Sequence, residues 1–153
     1  MSVNNFRDVG TFHHKFGLDH VECGVGLPIE VARDHKGAKP RVIDPSMIDF
    51  RRKFMQEELD EFGRAFLAED EPKMFDALLD LAYVVFGTAH LLGYPWQEGW
   101  DEVQRANMQK ERATSVEQSL ASTGRGSTLD VIKPVGRTPP NISAVLGRHG
   151  WMT

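Results

Sequence analysis

A chain of 153 residues with 41% hydrophobic and 26% charged side chains is about one domain's worth of globular protein, not a disordered polymer. Its net charge of −4 excludes bulk attraction to DNA or to an anionic membrane surface, although a local basic cluster can still meet a phosphate. The single cysteine, Cys23, excludes an internal disulfide framework and a Cys-based zinc cage, and fits a reducing compartment.

The start, MSVNNFRDVG, has no apolar core of the signal-peptide kind. Phe6, Val9, Phe12 and Phe16 then recur at helical spacing, which predicts a first helix over Asn4 to Phe16. Gly17 to Asp44 is rich in Gly and Pro and reads as loop. Asp44-Pro45 has the form of a helix N-cap followed by Pro at the first helical position. The helix it opens runs to about Ala68, with Met55, Leu59, Phe62 and Phe66 as its apolar stripe.

Glu71-Pro72 opens a third helix, ending near Leu92 and Gly93. Apolar residues surround most of it, from Met74 and Phe75 to Val85 and Phe86, so it requires burial on several sides. Asp80 and His90 interrupt the longest apolar run, ALLDLAYVVFGTAHLLGY, so no membrane span and a cytoplasmic location are expected. Tyr94-Pro95 starts a fourth helix through about Arg112. Ser, Thr, Gly and Gln dominate residues 114–127, which read as a short frayed helix and a flexible linker. The tail reads as a Pro-rich strap over 128–153, with a short helix near Asn141 to Leu146, packing on a helical domain of residues 1–113.

No stretch alternates strictly, so the expected fold is all-α with four main helices. A homo-oligomer sharing the third helix is the simplest way to cover it.

Three clusters carry chemistry. The second helix holds Glu57, Glu58, Asp60 and Glu61; at about 100° per residue, Glu58 and Glu61 lie on adjacent turns beside the apolar stripe. On the third helix Asp76, Asp80, Tyr83, Gly87 and His90 form a narrow polar strip. That strip faces either water or the second helix. In the second case Asp80 and Asp76 meet Glu58 and Glu61, and so many carboxylates together call for a cation, with Mg²⁺ or Mn²⁺ suiting oxygen ligands. On the fourth helix Trp96, Trp100, Val103, Asn107 and Lys110 are spaced as one face. Lys110 is either a stem snorkelling to water or a phosphate contact beside Asn107. His13, His14 and His20 read as surface histidines. No P-loop, HExxH or Glu-x-x-His pair is present.

FHHKFGL, EELDEF, DALLDLAYVVFGTAHLLG, RANMQK and KPVGRTPPNI occur in that order between about Phe12 and Ile142. Together they resemble the all-α nucleoside triphosphate pyrophosphohydrolase superfamily, in particular its MazG-like and phosphoribosyl-ATP pyrophosphohydrolase-like members from phages and bacteria. The resemblance implies a MazG-like helical bundle in a homodimer or homotetramer. It implies Mg²⁺-dependent hydrolysis of a (d)NTP to a monophosphate and pyrophosphate. The superfamily's EExxE element falls on Glu57, Glu58 and Glu61, and the Asp of its ExxD element on Asp80. Ala77 stands where that element has Glu, and the nearest carboxylate is Asp76, one residue earlier. Metal ligation is thereby implied for Glu58, Glu61 and Asp80, with Asp76 direct or through water. Glu57 or Glu58 positions the attacking water. Asn107 and Lys110 match the element associated with the substrate's phosphates, and Lys133 of the tail is a further candidate there. Alternative activities are phosphoribosyl-ATP pyrophosphohydrolase and a non-catalytic helical dimer that binds nucleotides.

Overall fold

The computed structural model describes residues 4–18 and 44–151. Among them are six helices and one two-residue strand pair, so the fold is all-α. The predicted loop over Gly17 to Asp44 lies, apart from its ends, outside the described residues, as do Cys23 and His20. By internal contacts the chain forms two compact units, Met1–Tyr94 and Pro95–Thr153.

The first unit contains α1 (Asn5–Lys15), α2 (Pro45–Leu67) and α3 (Glu71–Leu91). Each begins where a short polar side chain satisfies an orphan backbone N–H. Asn4 accepts from the Arg7 N–H at 3.1 Å, Asp44 from Ser46 at 2.8 Å, and Asp70 from Lys73 at 3.1 Å. Between α2 and α3 the turn is tight. Glu69 adopts a left-handed φ of 56°, its N–H bonds the Phe66 carbonyl, and the Asp70 N–H bonds the Ala65 carbonyl. This is a Schellman ending built on Glu instead of the usual Gly. It reverses the chain so that α3 packs antiparallel along α2, and α1 packs on α3.

The inward side of α2 differs from the predicted stripe. Arg51, Glu58 and Ala65 are its buried residues, facing Ala77, Val84 and Gly87 of α3. Leu59 is 50% and Phe66 62% exposed. Sterics explain the swap: close approach of two helix backbones favours small residues and long polar stems at the seam. The bulky side chains then lie on the flank, about 40–100° round the helix from the seam's centre.

The second unit contains α4 (Trp96–Asn107), β1 (Glu111–Arg112), α5 (Val116–Thr123), β2 (Val131–Ile132) and α6 (Ile142–Arg148). The fourth helix stops at Asn107, short of the predicted Arg112, because residues 111–112 leave it to pair antiparallel with β2. The stretch expected to hold a short frayed helix and a flexible linker contains α5, which is not frayed: Ser115 caps its start and Gly124, at φ 76°, its end. Polar contacts hold the tail to α4. The Thr138 N–H donates to Gln109 Oε1 at 2.9 Å, the Asn141 N–H to Glu102 Oε1 at 2.8 Å, and His149 Nε2 lies 2.6 Å from Glu98 Oε1. Arg105 beside Glu102, together with the Asn141 N–H, pulls the Glu102 carboxyl down to about 2.

Asp130 ties this unit together. Its carboxylate accepts from the hydroxyls of Thr123 and Ser119, the latter at 2.8 Å, pairs with Arg125, and accepts the Val131 N–H at 2.7 Å. Its carbonyl accepts the Ala113 N–H at 2.9 Å. The Thr123 hydroxyl, followed by Ser119, Arg125 and the Val131 N–H, holds the carboxyl well below the usual carboxylate range. A depressed folded-state pKa contributes stability above the unfolded value and loses it as pH falls through the folded one. Asp130→Asn is therefore expected to lower the thermal midpoint near neutral pH. The gap from wild type should close progressively below about pH 4. Circular-dichroism melts across a pH series check both statements.

Candidate functional site

Among the acidic residues of α2, Glu58 is the one buried at the seam. Glu58 is 8% exposed. Burial pushes its carboxyl above the usual carboxylate range, and the negative charges of Asp80, Glu61, Glu57 and Asp76 push the same way. Asp80 and Asp76 of the α3 strip are near enough for their charges to act on Glu58, and both stay exposed to solvent. Glu61 is also exposed, 3.6 Å from Arg64. Glu57 lies on the outer side of α2, in the wall of an open cavity with Phe50, Lys53 and Phe54.

The C-terminal half of the same strip has a different surrounding. There α1 packs against Tyr83, Gly87 and His90, leaving Tyr83 partly exposed. The Phe12 and Tyr83 rings meet edge to face at 5.4 Å, and the His13 and His90 rings lie 5.4 Å apart. His13 is buried, correcting its assignment as a surface histidine, because it fills the space above Gly87. His14 is exposed, as expected. Arg51 reaches the same place from α2. Its Nε donates to Thr88 Oγ1 at 3.0 Å and its Nη2 to the Val84 carbonyl at 2.7 Å, while burial lowers its pKa. Arg51 escaped the sequence analysis. The spacing of Arg51, Glu58 and Ala65 by seven residues, against Ala77 and Val84 at the same interval, is the signal that could have found it.

Asn107, Lys110 and Lys133 belong to the second unit. Asn107 is the last residue of α4 and Lys110 sits in the following turn, its N–H on the Asn107 carbonyl at 3.0 Å. Since the helix has ended, Lys110 does not extend the face of Trp96 and Trp100 as its spacing suggested. Lys133 follows β2, with its N–H donating to Ser122 Oγ at 3.3 Å.

The sequence profile of the phosphoribosyl-ATP pyrophosphohydrolase family matches residues 29–107, just over half of the chain. The chain belongs to that family. It is a pyrophosphohydrolase of the MazG-like kind, a hydrolase acting on phosphoric anhydrides. Curated proteins gave no match. Enzymes of the phosphoribosyl-ATP pyrophosphohydrolase family typically depend on a divalent metal. Among the described residues no group of three or more Asp, Glu, His or Cys side chains is arranged to enclose an ion. The donor chemistry nonetheless fits one. Glu58 is buried beside four further carboxylates, an arrangement that a hard cation relieves. Mg²⁺ in particular keeps several waters and takes only one or two carboxylates plus phosphate oxygens, without a closed cage.

At Gly87 side chains from α1 and α2 both press on the backbone of α3. A Cβ there would stand 2.7 Å from both Arg51 Nη2 and His13 Nε2. Gly87→Ala is expected to destabilise the unit by roughly 1–3 kcal/mol, the usual cost of overpacking. Urea denaturation followed by circular dichroism measures it, and an unchanged midpoint would contradict the close packing.

Proposed function

We propose that the protein hydrolyses a nucleoside or deoxynucleoside triphosphate between the α and β phosphates, releasing a monophosphate and pyrophosphate, with Mg²⁺ or Mn²⁺ as cofactor. One observation carries this reading: Glu58 is buried at the α2–α3 seam with Asp80, Asp76, Glu61 and Glu57 acting on it, within the stretch that the family profile matches. Glu58, Glu61 and Asp80 would hold the ion, with the shorter Asp76 beside them. When bound, the ion supplies the positive charge that neutralises phosphate oxygens. Glu57, on the open outer side of α2, takes the proton as a water oxygen bonds to the α phosphorus. The bond from that phosphorus to the bridging oxygen breaks, and the oxygen leaves with pyrophosphate. Asn107, Lys110 and Lys133, in the second unit, have the donor chemistry that phosphate oxygens accept from.

Wild type is expected to release pyrophosphate from at least one member of a (d)NTP panel that also includes phosphoribosyl-ATP. A non-catalytic nucleotide-binding dimer releases none. Asp80→Asn and Glu61→Gln are each expected to lower kcat by on the order of 10²–10³, as for loss of a major electrostatic group. Both should also remove the rise in thermal midpoint that Mg²⁺ gives wild type, while far-UV circular dichroism stays unchanged. Wild-type turnover in both variants would reduce the acidic strip to a solvated surface.

A second copy of the chain is the proposed cover for the apolar flanks of α2 and α3. Phe66, Phe75, Leu78 and Leu79 remain exposed on this unit, and such a surface favours association with a like surface. By length and composition α3 could cross a bilayer. The buried Arg51 and Glu58 packed along it favour a protein cover over lipid. Sedimentation at micromolar concentration is expected to give a dimer or tetramer, and a monomer would refute this assembly.

A further inference from the structure

We propose that Phe50 and Phe54 form the platform on which the substrate's nucleobase stacks, with Lys53 as the donor that reads the base edge. This rests on the nucleotide-hydrolase reading above and adds where the base sits. A cavity of about 250 Å³ is lined by Phe50, Lys53, Phe54 and Glu57, all from one side of α2. Pockets that enclose a whole drug-sized ligand measure roughly 300–1,000 Å³, so this one suits a single ring system. Its chemistry matches a base: two aromatic rings, one ammonium and one carboxylate.

The two rings lie side by side on the cavity wall, with centroids 6.1 Å apart and planes tilted by 50°. Phe50 is 61% exposed. Phe54 is anchored: the Arg51 guanidinium, itself held by α3, lies 5.6 Å from its ring centroid. Lys53 lines the same cavity, and its ammonium lies 2.6 Å from Asp49 one turn back on α2.

Position along the helix supplies the second argument. At about 1.5 Å per residue, Phe54 is roughly 4–5 Å and Phe50 roughly 10 Å from Glu57 along the axis of α2, and Glu61 is about 6 Å beyond it. Base, scissile phosphate and metal-bound phosphates would follow one another along a single helix. A nucleotide is built in that order.

The test has two independent arms. In the first, the full chain with ¹³C-labelled phenylalanine is titrated with nucleoside monophosphates and, separately, with ribose 5-phosphate. The Phe50 and Phe54 ring signals, assigned with Phe50→Leu and Phe54→Leu, are expected to shift with nucleotides and not with ribose 5-phosphate. Equal responses to both, or none to either, as when a second copy covers the cavity, overturn the platform. In the second arm, Phe50→Ala is expected to raise KM for the best nucleotide about ten-fold, in the range for loss of one base-stacking ring, with kcat changed less than about two-fold. Phe50→Tyr should restore KM. Pyrophosphate release with an unchanged KM in Phe50→Ala sinks the platform and leaves the hydrolase reading standing. Ring shifts with nucleotides but no turnover of any triphosphate by wild type have the opposite meaning.

Discussion

The close packing of α2 against α3 governs what every other side chain of the first unit can do. Two helix backbones approach nearest where the intervening residues are small, and here Ala65, Ala77 and Gly87 provide that space. What else fits between them is long and thin: the stems of Arg51 and Glu58. A buried guanidinium is costly unless its N–H groups find acceptors. Thr88 and the Val84 carbonyl provide them, and Thr88 itself donates to the same carbonyl at 2.8 Å, which fixes the cluster in one geometry. Glu58, further along the seam, has like charges as neighbours where Arg51 has acceptors. One end of the seam is thus a satisfied hydrogen-bond network, and the other concentrates negative charge.

That asymmetry divides the polar strip of α3 into two parts. In the C-terminal half α1 lies across Tyr83, Gly87 and His90, and the histidine and aromatic rings there are packing elements. In the N-terminal half Asp76 and Asp80 stay exposed beside the carboxylates of α2. The same periodicity therefore serves structure over about two turns and open chemistry on the rest.

The second unit is stabilised differently. Its few buried apolar residues, Ala106, Ala113, Ile132 and Val145, form a small core. Polar ties supplement it: Asp130 gathers α5 and β2, and Glu102 joins α4 to the backbone of the tail. Hydrogen bonds to an ionised carboxylate are stronger than neutral ones, so a short, proline-rich tail can be held in place without a large hydrophobic face.

The sequence by itself determined the helices of the first unit almost to the residue, because their boundaries are local chemistry. Asp44-Pro45 and Glu71-Pro72 are starts, and Gly93 is a stop with φ 60°. The all-α class and the family were legible for the same reason, since EELDE and the Asp of α3 are short-range patterns. Only the tertiary structure decided which side of α2 faces inward: hydrophobic periodicity ranks side chains by transfer energy, whereas close helix packing selects them by size and shape. It also decided that His13 is buried, that α4 ends at Asn107, and that Lys110 lies in a turn, since each depends on a partner distant in sequence. Helical spacing continues on paper through residue 110, but strand pairing with Val131 and Ile132 ends the helix in space.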